Sequence, residues 1–242
     1  MNSSSSLPPT AIGLDLGTTQ IKAGALNQSG QLDTVLASPP PPLTGQGLIR
    51  ESDPDAYLSA TESLLQRLHQ EMGVDLDTPL GIATQRSSFL LWDESTGRPV
   101  TPLISWQDRR STEWCKKHES LGNDVHKITG LRLSPHYVGP KLACLMESNS
   151  DIRTGLSRGD LLLGTFETYL LWKWSEGSLY ETDLTMAART LLMDVDQLTW
   201  AEPLLDKFGI PKFCLPYLDF STGKRYVVQN DMVVTATLAG GL

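Results

Sequence analysis

Hydrophobic and polar positions near the amino terminus predict strands joined by tight turns. Residues 11–26 indicate a hydrophobic strand that enters a turn at residues 17–19 and leaves it as a second strand. A third strand is predicted over residues 31–38, after a turn at residues 27–30. The chain therefore begins with successive strands rather than with a helix.

The pattern then changes to the helical period after Pro54. Ser52 or Asp53 can cap this helix and Pro54 fits its first turn, and apolar residues recur at Tyr57, Leu58, Leu64, Leu65 and Leu68. Short strands are predicted over residues 80–83, 89–92 and 191–195, and core helices over residues 140–148 and 166–174. Strands followed by alternating helices and strands indicate a mixed α/β layered domain.

Composition excludes several classes of protein. The 242 residues are 40% hydrophobic and 20% charged, with a formal net charge of −8. No basic run provides an electrostatic footprint for nucleic acid. The three cysteines (Cys115, Cys144 and Cys214) are far apart and form no zinc or disulfide pattern. Residues 1–10 form a Ser/Pro-rich tail without the apolar core of a signal peptide, and no apolar run reaches membrane-spanning length. A cytoplasmic protein without membrane partners is predicted.

The first turn carries candidate phosphate chemistry. Gly17 allows the backbone to approach a polyphosphate closely, and Thr18 and Thr19 add hydroxyl donors. Lys22 adds a positive charge. Asp15 would repel phosphate unless a hydrated Mg²⁺ lies between them, an arrangement typical of that ion. The alternative is an ordinary hairpin with Gly-Thr-Thr in its turn.

A second group of candidate residues follows the predicted strand at residues 80–83. Gln85 and Arg86 lie where a buried strand ends, the usual place for ligand contacts in α/β sheets. Trp106 offers an apolar face, and Asp108 with Arg109 offers an acceptor and a forked donor. This mixture suits a polyol or sugar. The alternative is a half-buried tryptophan beside a surface salt bridge.

Together these segments resemble the FGGY family of carbohydrate kinases, and the glycerol kinase branch is nearest. The resemblance rests on D-L-G-T-T at residues 15–19, T-Q-R at 84–86, W-D at 92–93 and W-Q-D-R at 106–109. It continues through blocks at residues 139–142, 162–173, 182–190 and 208–216. Several blocks in the same order are far more specific than any one of them.

The resemblance implies an actin-like, ribonuclease H-like fold with a mixed sheet flanked by helices. It also implies transfer of phosphate from ATP, with Mg²⁺, to a hydroxyl of a small polyol or sugar. The implied phosphate and Mg-ATP residues are Asp15, Gly17, Thr18, Thr19 and Lys22, with Asp15 holding the metal through water. The implied substrate residues are Gln85, Arg86, Ser87, Trp106, Asp108, His136 and Tyr137.

The sequence departs from the glycerol kinase pattern at two substrate positions. The glutamate that follows the matching arginine in glycerol kinases is Ser87 here, and the substrate-binding tyrosine aligns with His136, one step from Tyr137. Loss of a carboxylate removes a charge-assisted contact of roughly 1.5–3 kcal/mol. A larger polyol or a ketose is therefore plausible in place of glycerol.

The resemblance also predicts domain organisation. Residues 11–242 match the amino-terminal, substrate-side domain of the family, and the ATP-binding carboxyl-terminal domain is expected to be absent. The family's general base lies in a G-D-x-x-A block that these residues do not contain. Asp231 lies at the wrong end of the last strand. Asp108 and Asp183 remain, and because Asp183 resembles a structural position of the family, Asp108 is the candidate base. The chain is expected to be inactive or weakly active alone.

Two other interpretations stay open at this point. In the first interpretation, the chain is a non-catalytic polyol-binding or interaction protein. The missing base and the changes at Ser87 and His136 favour it. In the other it is an actin-like ATPase such as a heat-shock chaperone, against which the segments at residues 85–86 and 106–109 argue. Self-association, for example as a homodimer, is also predicted, since an exposed interdomain face would be partly apolar.

Overall fold

A computed structural model describes residues 9–75 and 77–240. Residues 1–8 of the predicted tail and the last two residues lie outside this part. Its strands are β1 (Ala11–Leu16), β2 (Ile21–Leu26), β3 (Leu32–Ser38), β4 (Glu51–Ser52), β5 (Leu80–Thr84), β6 (Phe89–Asp93), β7 (Leu103–Ile104), β8 (Leu161–Thr165), β9 (Glu181–Asp183), β10 (Met193–Asp194), β11 (Thr199–Trp200), β12 (Tyr217–Asp219), β13 (Tyr226–Val227) and β14 (Val233–Ala239). Its α-helices are α1 (Pro54–Met72), α2 (Thr112–Lys117), α3 (Gly122–Thr129), α4 (Val138–Ser148), α5 (Ser150–Arg158), α6 (Phe166–Trp174), α7 (Leu184–Ala187) and α8 (Glu202–Phe208).

A six-stranded mixed sheet forms the larger layer, with the strand order β13-β14-β5-β1-β2-β3. The first three strands are an antiparallel meander. The strands β1, β5 and β14 run parallel to one another. Parallel neighbours need a crossover connection, and α1 supplies the helix between β3 and β5. The carboxyl ends of β1, β5 and β14 therefore lie at one edge of the sheet.

The alternation in β1 divides this sheet into a buried and an open face. Ile12, Leu14 and Leu16 are buried, whereas Gly13 and Asp15 are exposed. Successive side chains of a strand point to opposite faces, so the three apolar residues face the core. The acid of the first turn is thereby left on the open face.

The smaller layer is a four-stranded antiparallel sheet with the order β4-β7-β6-β8. Its strand β6 separates two hydrophobic cores. Leu90 and Trp92 join the core shared with the larger sheet and α1. Phe89 and Leu91 join a second core, formed largely by α2–α5 and α8. Because both faces of β6 are buried, this strand holds the two layers in a fixed relation.

The structure confirms most of the predicted elements. The cap of α1 is Asp53, whose carboxylate accepts from two backbone amides of the first turn. The helix predicted from residue 140 begins earlier, at Val138. The strand predicted over residues 191–195 was largely wrong, since only Met193–Asp194 are paired. Leu191 has a φ of 65°, and this left-handed backbone cannot continue a strand.

Large apolar side chains are exposed near β12 and β13. Tyr217 is 80% exposed, Phe220 66% and Val227 62%. They are compatible with self-association, which stays a prediction.

In the described part of the chain, no helix combines the length and the apolar character needed to cross a bilayer.

Substitution Gly164→Ala tests the packing of β8 against Trp92. A Cβ at Gly164 would lie 2.6 Å from the Trp92 ring and 2.9 Å from the Thr168 side chain. Overpacking of this kind lowers the free energy of unfolding by about 1–3 kcal/mol, measurable by urea denaturation. At Gly122, by contrast, a Cβ would meet no atom within 4 Å. We expect Gly122→Ala to be neutral or stabilising by up to about 1 kcal/mol. Equal effects of the two substitutions would contradict the close packing.

Candidate active site

Three strand ends meet around one cavity at the open edge of the larger sheet. The Gln85 amide donates to the Leu16 carbonyl over 3.1 Å, and the Gly240 amide donates to the Thr84 carbonyl over 2.7 Å. These bonds continue the parallel pairing beyond the strands. We call the resulting space, about 470 Å³, the strand-end cavity; it is lined by Asp15, Gly17, Thr18, Thr19, Gln20, Lys22, Gln85, Arg86, Trp106, His136, Arg189 and Gly240.

The first turn is held from both sides, and its tip faces the strand-end cavity. The Gly17 amide donates to the Gln20 carbonyl over 3.1 Å and closes the turn. The Tyr57 hydroxyl of α1 donates to the Gly17 carbonyl over 2.7 Å. Gly17 therefore shapes the turn, and its own amide is already used. Neither the backbone amides nor the hydroxyls of Thr18 and Thr19 bond to a described residue, so these donors are available to a ligand.

Asp15 and Lys22 lie directly opposite each other on β1 and β2. Opposite charges at such cross-strand positions attract. Both side chains line the strand-end cavity, and neither forms a salt bridge within 4 Å with a residue that the structure describes. Asp15 is thus an open carboxylate.

The donor set around Asp15 fits Mg²⁺ that keeps its waters. Within residues 9–75 and 77–240, no three His, Cys, Asp or Glu side chains come together as a metal-binding group. A single carboxylate beside free hydroxyls cannot enclose a cation, but Mg²⁺ commonly binds one or two carboxylates together with phosphates and water. The residues present therefore suit a metal that arrives with a polyphosphate.

A short hydrogen-bond chain positions two of the predicted substrate residues. The Trp106 amide donates to the Ser88 hydroxyl over 2.9 Å, and that hydroxyl donates to the Gln85 side-chain oxygen over 2.9 Å. Arg109 donates to the Trp106 carbonyl over 2.8 Å. The loop after β7 is thereby tied to the end of β5, and Trp106 is held at the cavity wall.

His136 forms the wall of the strand-end cavity beside Trp106, with ring centres 5.6 Å apart. Burial lowers the pKa of His136 to about 4, and the nearby charges of Lys141, Arg109, Arg189 and Arg86 act in the same direction. His136 is therefore neutral at physiological pH. An imidazole with so low a pKa is a poor proton acceptor there.

Asp108 was predicted to bind substrate and was the candidate base, but the structure does not bring it into the cavity. Its side chain is fully buried and is paired with Arg110, not with Arg109. It accepts from the backbone amides of Arg50 and Arg110 over 2.7 and 2.9 Å. Burial would raise the pKa of this carboxyl, but the bonds from Arg110 and the amides outweigh it and hold the pKa below its usual value. Asp108 is placed to fix its loop.

Ser87 and Tyr137, two other predicted substrate residues, also lie behind the cavity wall. Ser87 is buried with a φ of 61°, and its hydroxyl donates to the Arg189 carbonyl over 2.9 Å. The Tyr137 ring lies under the Arg189 guanidinium, 5.2 Å from its carbon. Both residues therefore contact Arg189, which lines the cavity itself.

Arg189 was missed by the sequence analysis as a site residue, although it lies within the resembling block at residues 182–190. It follows the short helix α7, and that helix gave no periodic signal. Its Nε is buried and has no acceptor among the described residues. A buried donor without a partner is unfavourable, so Arg189 is a strong candidate for a ligand contact.

A buried polar network supports the end of β5. Glu167 of α6 is fully buried, and it accepts from the hydroxyls of Thr165, Thr182 and Thr84 over 2.5, 2.7 and 3.2 Å. Burial and the neighbouring Asp183 raise the pKa of its carboxyl. Because Thr84 immediately precedes Gln85, this network fixes the strand end that carries the predicted substrate residues Gln85 and Arg86.

Comparisons with known proteins agree with this geometry. Residues 10–239 match the family described as "FGGY family of carbohydrate kinases, N-terminal domain". A glycerol kinase of Aquifex aeolicus is 31% identical over 211 residues, which is 87% of this chain and 43% of that protein. A glycerol kinase of Shewanella sp. (strain MR-4) is 35% identical over 209 residues, 85% of this chain and 42% of that protein. The chain thus spans less than half the length of these relatives.

A solved structure shares the fold. The crystal structure of Plasmodium falciparum glycerol kinase with ADP superposes with a TM-score of 0.88 at 22% identity, over 97% of this chain and 49% of that one. The mixed sheet, with an antiparallel meander followed by parallel strands, is the actin-like ATPase fold predicted from the sequence.

Substitution Asp108→Ala tests the structural role of this carboxylate. It leaves Arg110 buried with only Glu51 as a charged partner. We expect the free energy of unfolding to fall by about 2–4 kcal/mol. The matched control is Glu113→Ala, which breaks an exposed pair with Lys116 and is expected to change stability by less than about 1 kcal/mol. A fall of less than about 1 kcal/mol in Asp108→Ala, as in the control, would contradict the structural role of this carboxylate.

Lys141 predicts a pH dependence of stability. Its ammonium is buried and donates to the Ser105 carbonyl over 2.7 Å, and burial lowers its pKa from 10.5 to about 7. Between these values the unfolded chain binds a proton that the folded chain does not. This group therefore makes the free energy of unfolding rise as pH increases from about 7 towards 10.5.

Unfolding by urea at several pH values between 6 and 10 measures this contribution. In the variant Lys141→Met, the contribution of residue 141 to the rise in the free energy of unfolding with pH is lost. In the control Lys117→Met, which changes an exposed lysine, the rise is unchanged. An unchanged slope in Lys141→Met would show that Lys141 keeps an ordinary pKa.

Proposed function

The chain belongs to the FGGY family of carbohydrate kinases, as its N-terminal domain, and on this premise we propose that it forms the substrate-side half of a polyol or sugar kinase. In this proposal a hydroxyl of a small polyol or sugar receives the γ-phosphoryl group of ATP. A cytoplasmic site of action, where ATP is available, is part of the proposal.

One observation carries the proposal: the first turn and the substrate residues face the same cavity. Thr18 and Thr19 present free donors to the strand-end cavity, and Arg86 and Trp106 line the same cavity. A phosphate held by the turn and a hydroxyl held by Arg86 would thus be neighbours. Holding two reactants in place is the main contribution of a protein to phosphoryl transfer.

ATP and Mg²⁺ fit the turn by its chemistry. Thr18 and Thr19 would donate to phosphate oxygens, Lys22 would attract the phosphate charge, and Asp15 would hold the waters of the metal. When bound, Mg²⁺ supplies positive charge that offsets the charge of the transferring phosphoryl group. The chain's own part is to fix these groups on a rigid strand end.

The described residues of the cavity include no evident acceptor for the substrate's proton. Asp15 faces the phosphate site, and His136, with a pKa of about 4, is too weakly basic. We therefore propose that the general base belongs to another part of the kinase. The chain alone is expected to bind substrate but to transfer phosphate slowly.

Binding measurements on this chain separate substrate binding from binding of the Mg²⁺–nucleotide. Affinities for a panel of polyols, ketoses and sugar acids are measured by isothermal titration calorimetry. Arg86→Gln should weaken substrate affinity about tenfold or more, since a charged hydrogen bond is lost. Asp15→Asn should leave substrate affinity within about threefold, but should weaken binding of a Mg²⁺-bound non-hydrolysable ATP analogue. The controls are Lys117→Gln and Glu119→Gln, which remove an exposed charge of each sign.

Turnover is measured separately, as substrate-dependent ATP consumption. Rates far below those of a two-domain glycerol kinase assayed in parallel are expected. If the chain binds polyols but never transfers phosphate, even with a second domain supplied, the binding-protein interpretation replaces the kinase. If no member of the panel binds, with or without the nucleotide analogue, the proposal fails.

A further inference from the structure

Tyr57 connects helix α1 to the first turn. Its ring is 1% exposed and packs on Phe166 with ring centres 4.4 Å apart, and its hydroxyl donates to the Gly17 carbonyl over 2.7 Å. A phenylalanine ring would fill nearly the same space. The hydroxyl is therefore not needed for packing, and what it adds is a polar contact from α1 to the turn that carries Thr18 and Thr19.

Gln85 lies opposite Gly17, at the corresponding end of the neighbouring strand. Leu16 pairs with Thr84 in the parallel register of β1 and β5, and the Gln85 amide donates to the Leu16 carbonyl over 3.1 Å. The Gln85 side chain makes a polar contact with the Tyr57 hydroxyl, because burial raises the pKa of Tyr57 and this contact partly offsets the rise. A neighbour that lowers the pKa of a phenol donates to it. The Tyr57 hydroxyl thus lies between the two strand ends.

The other side of the Gln85 side chain is joined to the cavity wall. Its carbonyl oxygen accepts from the Ser88 hydroxyl over 2.9 Å, and that hydroxyl accepts from the Trp106 amide over 2.9 Å. Together with the two contacts of Tyr57, these bonds run from Trp106 to Gly17, and every donor points towards the turn. We call them the turn-to-wall series. Hydrogen bonds aligned in this way polarise and strengthen one another.

The turn-to-wall series joins two segments that lie outside the regular strands. The first turn, which presents Thr18 and Thr19, follows the end of β1, and the segment that carries Arg86 follows the end of β5. Backbone pairing of β1 with β5 reaches only to the Gln85 amide, so side-chain bonds hold the two segments together beyond it. A misplacement of about 1 Å between reacting groups can lower a rate about 100-fold, so this separation matters for transfer.

We infer that Tyr57 is a positioning residue for phosphoryl transfer: its hydroxyl holds the first turn in register with the segment that carries Arg86. The inference rests on the proposed function. Tyr57 lies behind the wall of the strand-end cavity and would touch neither ligand. Loss of its hydroxyl should therefore spare the binding of each ligand alone and weaken the contact between two ligands bound together.

The effect of one ligand on the affinity for the other measures this positioning. Titration calorimetry with the 242-residue chain gives the Kd of Mg²⁺-bound β,γ-imido-ATP, first alone and then with saturating glycerol, D-xylulose or D-gluconate. A substrate hydroxyl beside the terminal phosphate can donate to it. With the best-binding compound present, we expect the wild-type chain to bind the analogue about tenfold more tightly, the effect of one charged hydrogen bond. By linkage, the analogue raises the affinity for that compound by the same factor.

Removal of one hydroxyl assigns this effect to Tyr57. In Tyr57→Phe the ratio of the two analogue affinities should fall to about 1–3, whereas each ligand alone should bind within about threefold of its wild-type affinity. The matched control is Tyr169→Phe, which also removes a hydroxyl from a buried tyrosine. That hydroxyl donates to Asp55 over 3.1 Å, and neither residue lines the cavity. The control should keep the wild-type ratio.

Thermal unfolding checks that both variants are folded. If Tyr57→Phe is not, Ser88→Ala decides, because it interrupts the turn-to-wall series on the other side of Gln85 and should lower the ratio in the same way.

Four results would overturn the inference and leave the proposed function in place. The first is a wild-type ratio in the folded variant that interrupts the series. The second is an equal loss of the ratio in Tyr169→Phe, which would show a general effect of losing a buried hydroxyl. The third is a loss of more than about tenfold in the affinity for one ligand alone in Tyr57→Phe, which would make Tyr57 a ligand contact. The fourth is a ratio of about 1 in the wild-type chain although both ligands bind. Failure of all three compounds or of the analogue to bind would instead count against the proposed function.

Discussion

The parallel pairing of β1, β5 and β14 is the constraint on which the site depends. Strands that run parallel end at the same edge, so residues distant in sequence emerge side by side there. The Gln85–Leu16 and Gly240–Thr84 bonds carry this pairing past the strands themselves. The first turn, the arginine after β5 and the glycine after β14 thereby surround one cavity. Any change that shifts the register of β5 would move Arg86 relative to the first turn.

Several polar residues near the site bond to other parts of the protein and do not face the cavity. Asp108 binds Arg110 and two backbone amides, and Ser88 connects Trp106 to Gln85. Glu167 accepts hydrogen bonds from four threonine hydroxyls beneath the end of β5. Buried polar groups must be paired, and once paired they fix a loop in one conformation. The cavity wall is thus rigid before a ligand arrives, which reduces the entropy lost on binding. The rigid sheet and these networks together explain how irregular loops can hold a defined site.

The arginines near the site differ in whether a carboxylate neutralises their charge. Arg110 is buried with its charge matched by Asp108 and Glu51, and it has no charge left for a ligand. Arg86 and Arg189 face the cavity without a matching carboxylate among the described residues. Residue type alone does not distinguish these arginines, because both kinds occur beside polar residues in sequence. Their charged partners distinguish them: Arg110 has Asp108 two residues away and Glu51, which folding brings to it, whereas Arg86 and Arg189 stay open to a ligand.

The sequence by itself determined the elements and much of the chemistry of this protein. Hydrophobic runs on both sides of a tight turn marked β1 and β2, and Asp53 and Pro54 marked the start of α1. The blocks from Asp15 to Trp106 indicated the family. All of these signals are local. The tertiary structure decided which side chains reach the cavity. In the folded chain Asp108 is paired with Arg110, and the Ser87 hydroxyl donates to the Arg189 carbonyl, so neither lines the cavity. Arg189 does line the cavity, although it follows a short helix that gave no periodic signal. Arg110 lies only two residues from Asp108, but the Arg50 amide that also binds Asp108 and the Arg189 carbonyl that binds Ser87 are 58 and 102 residues away from them. These long-range hydrogen bonds help to fix the orientations, and no local pattern encodes them.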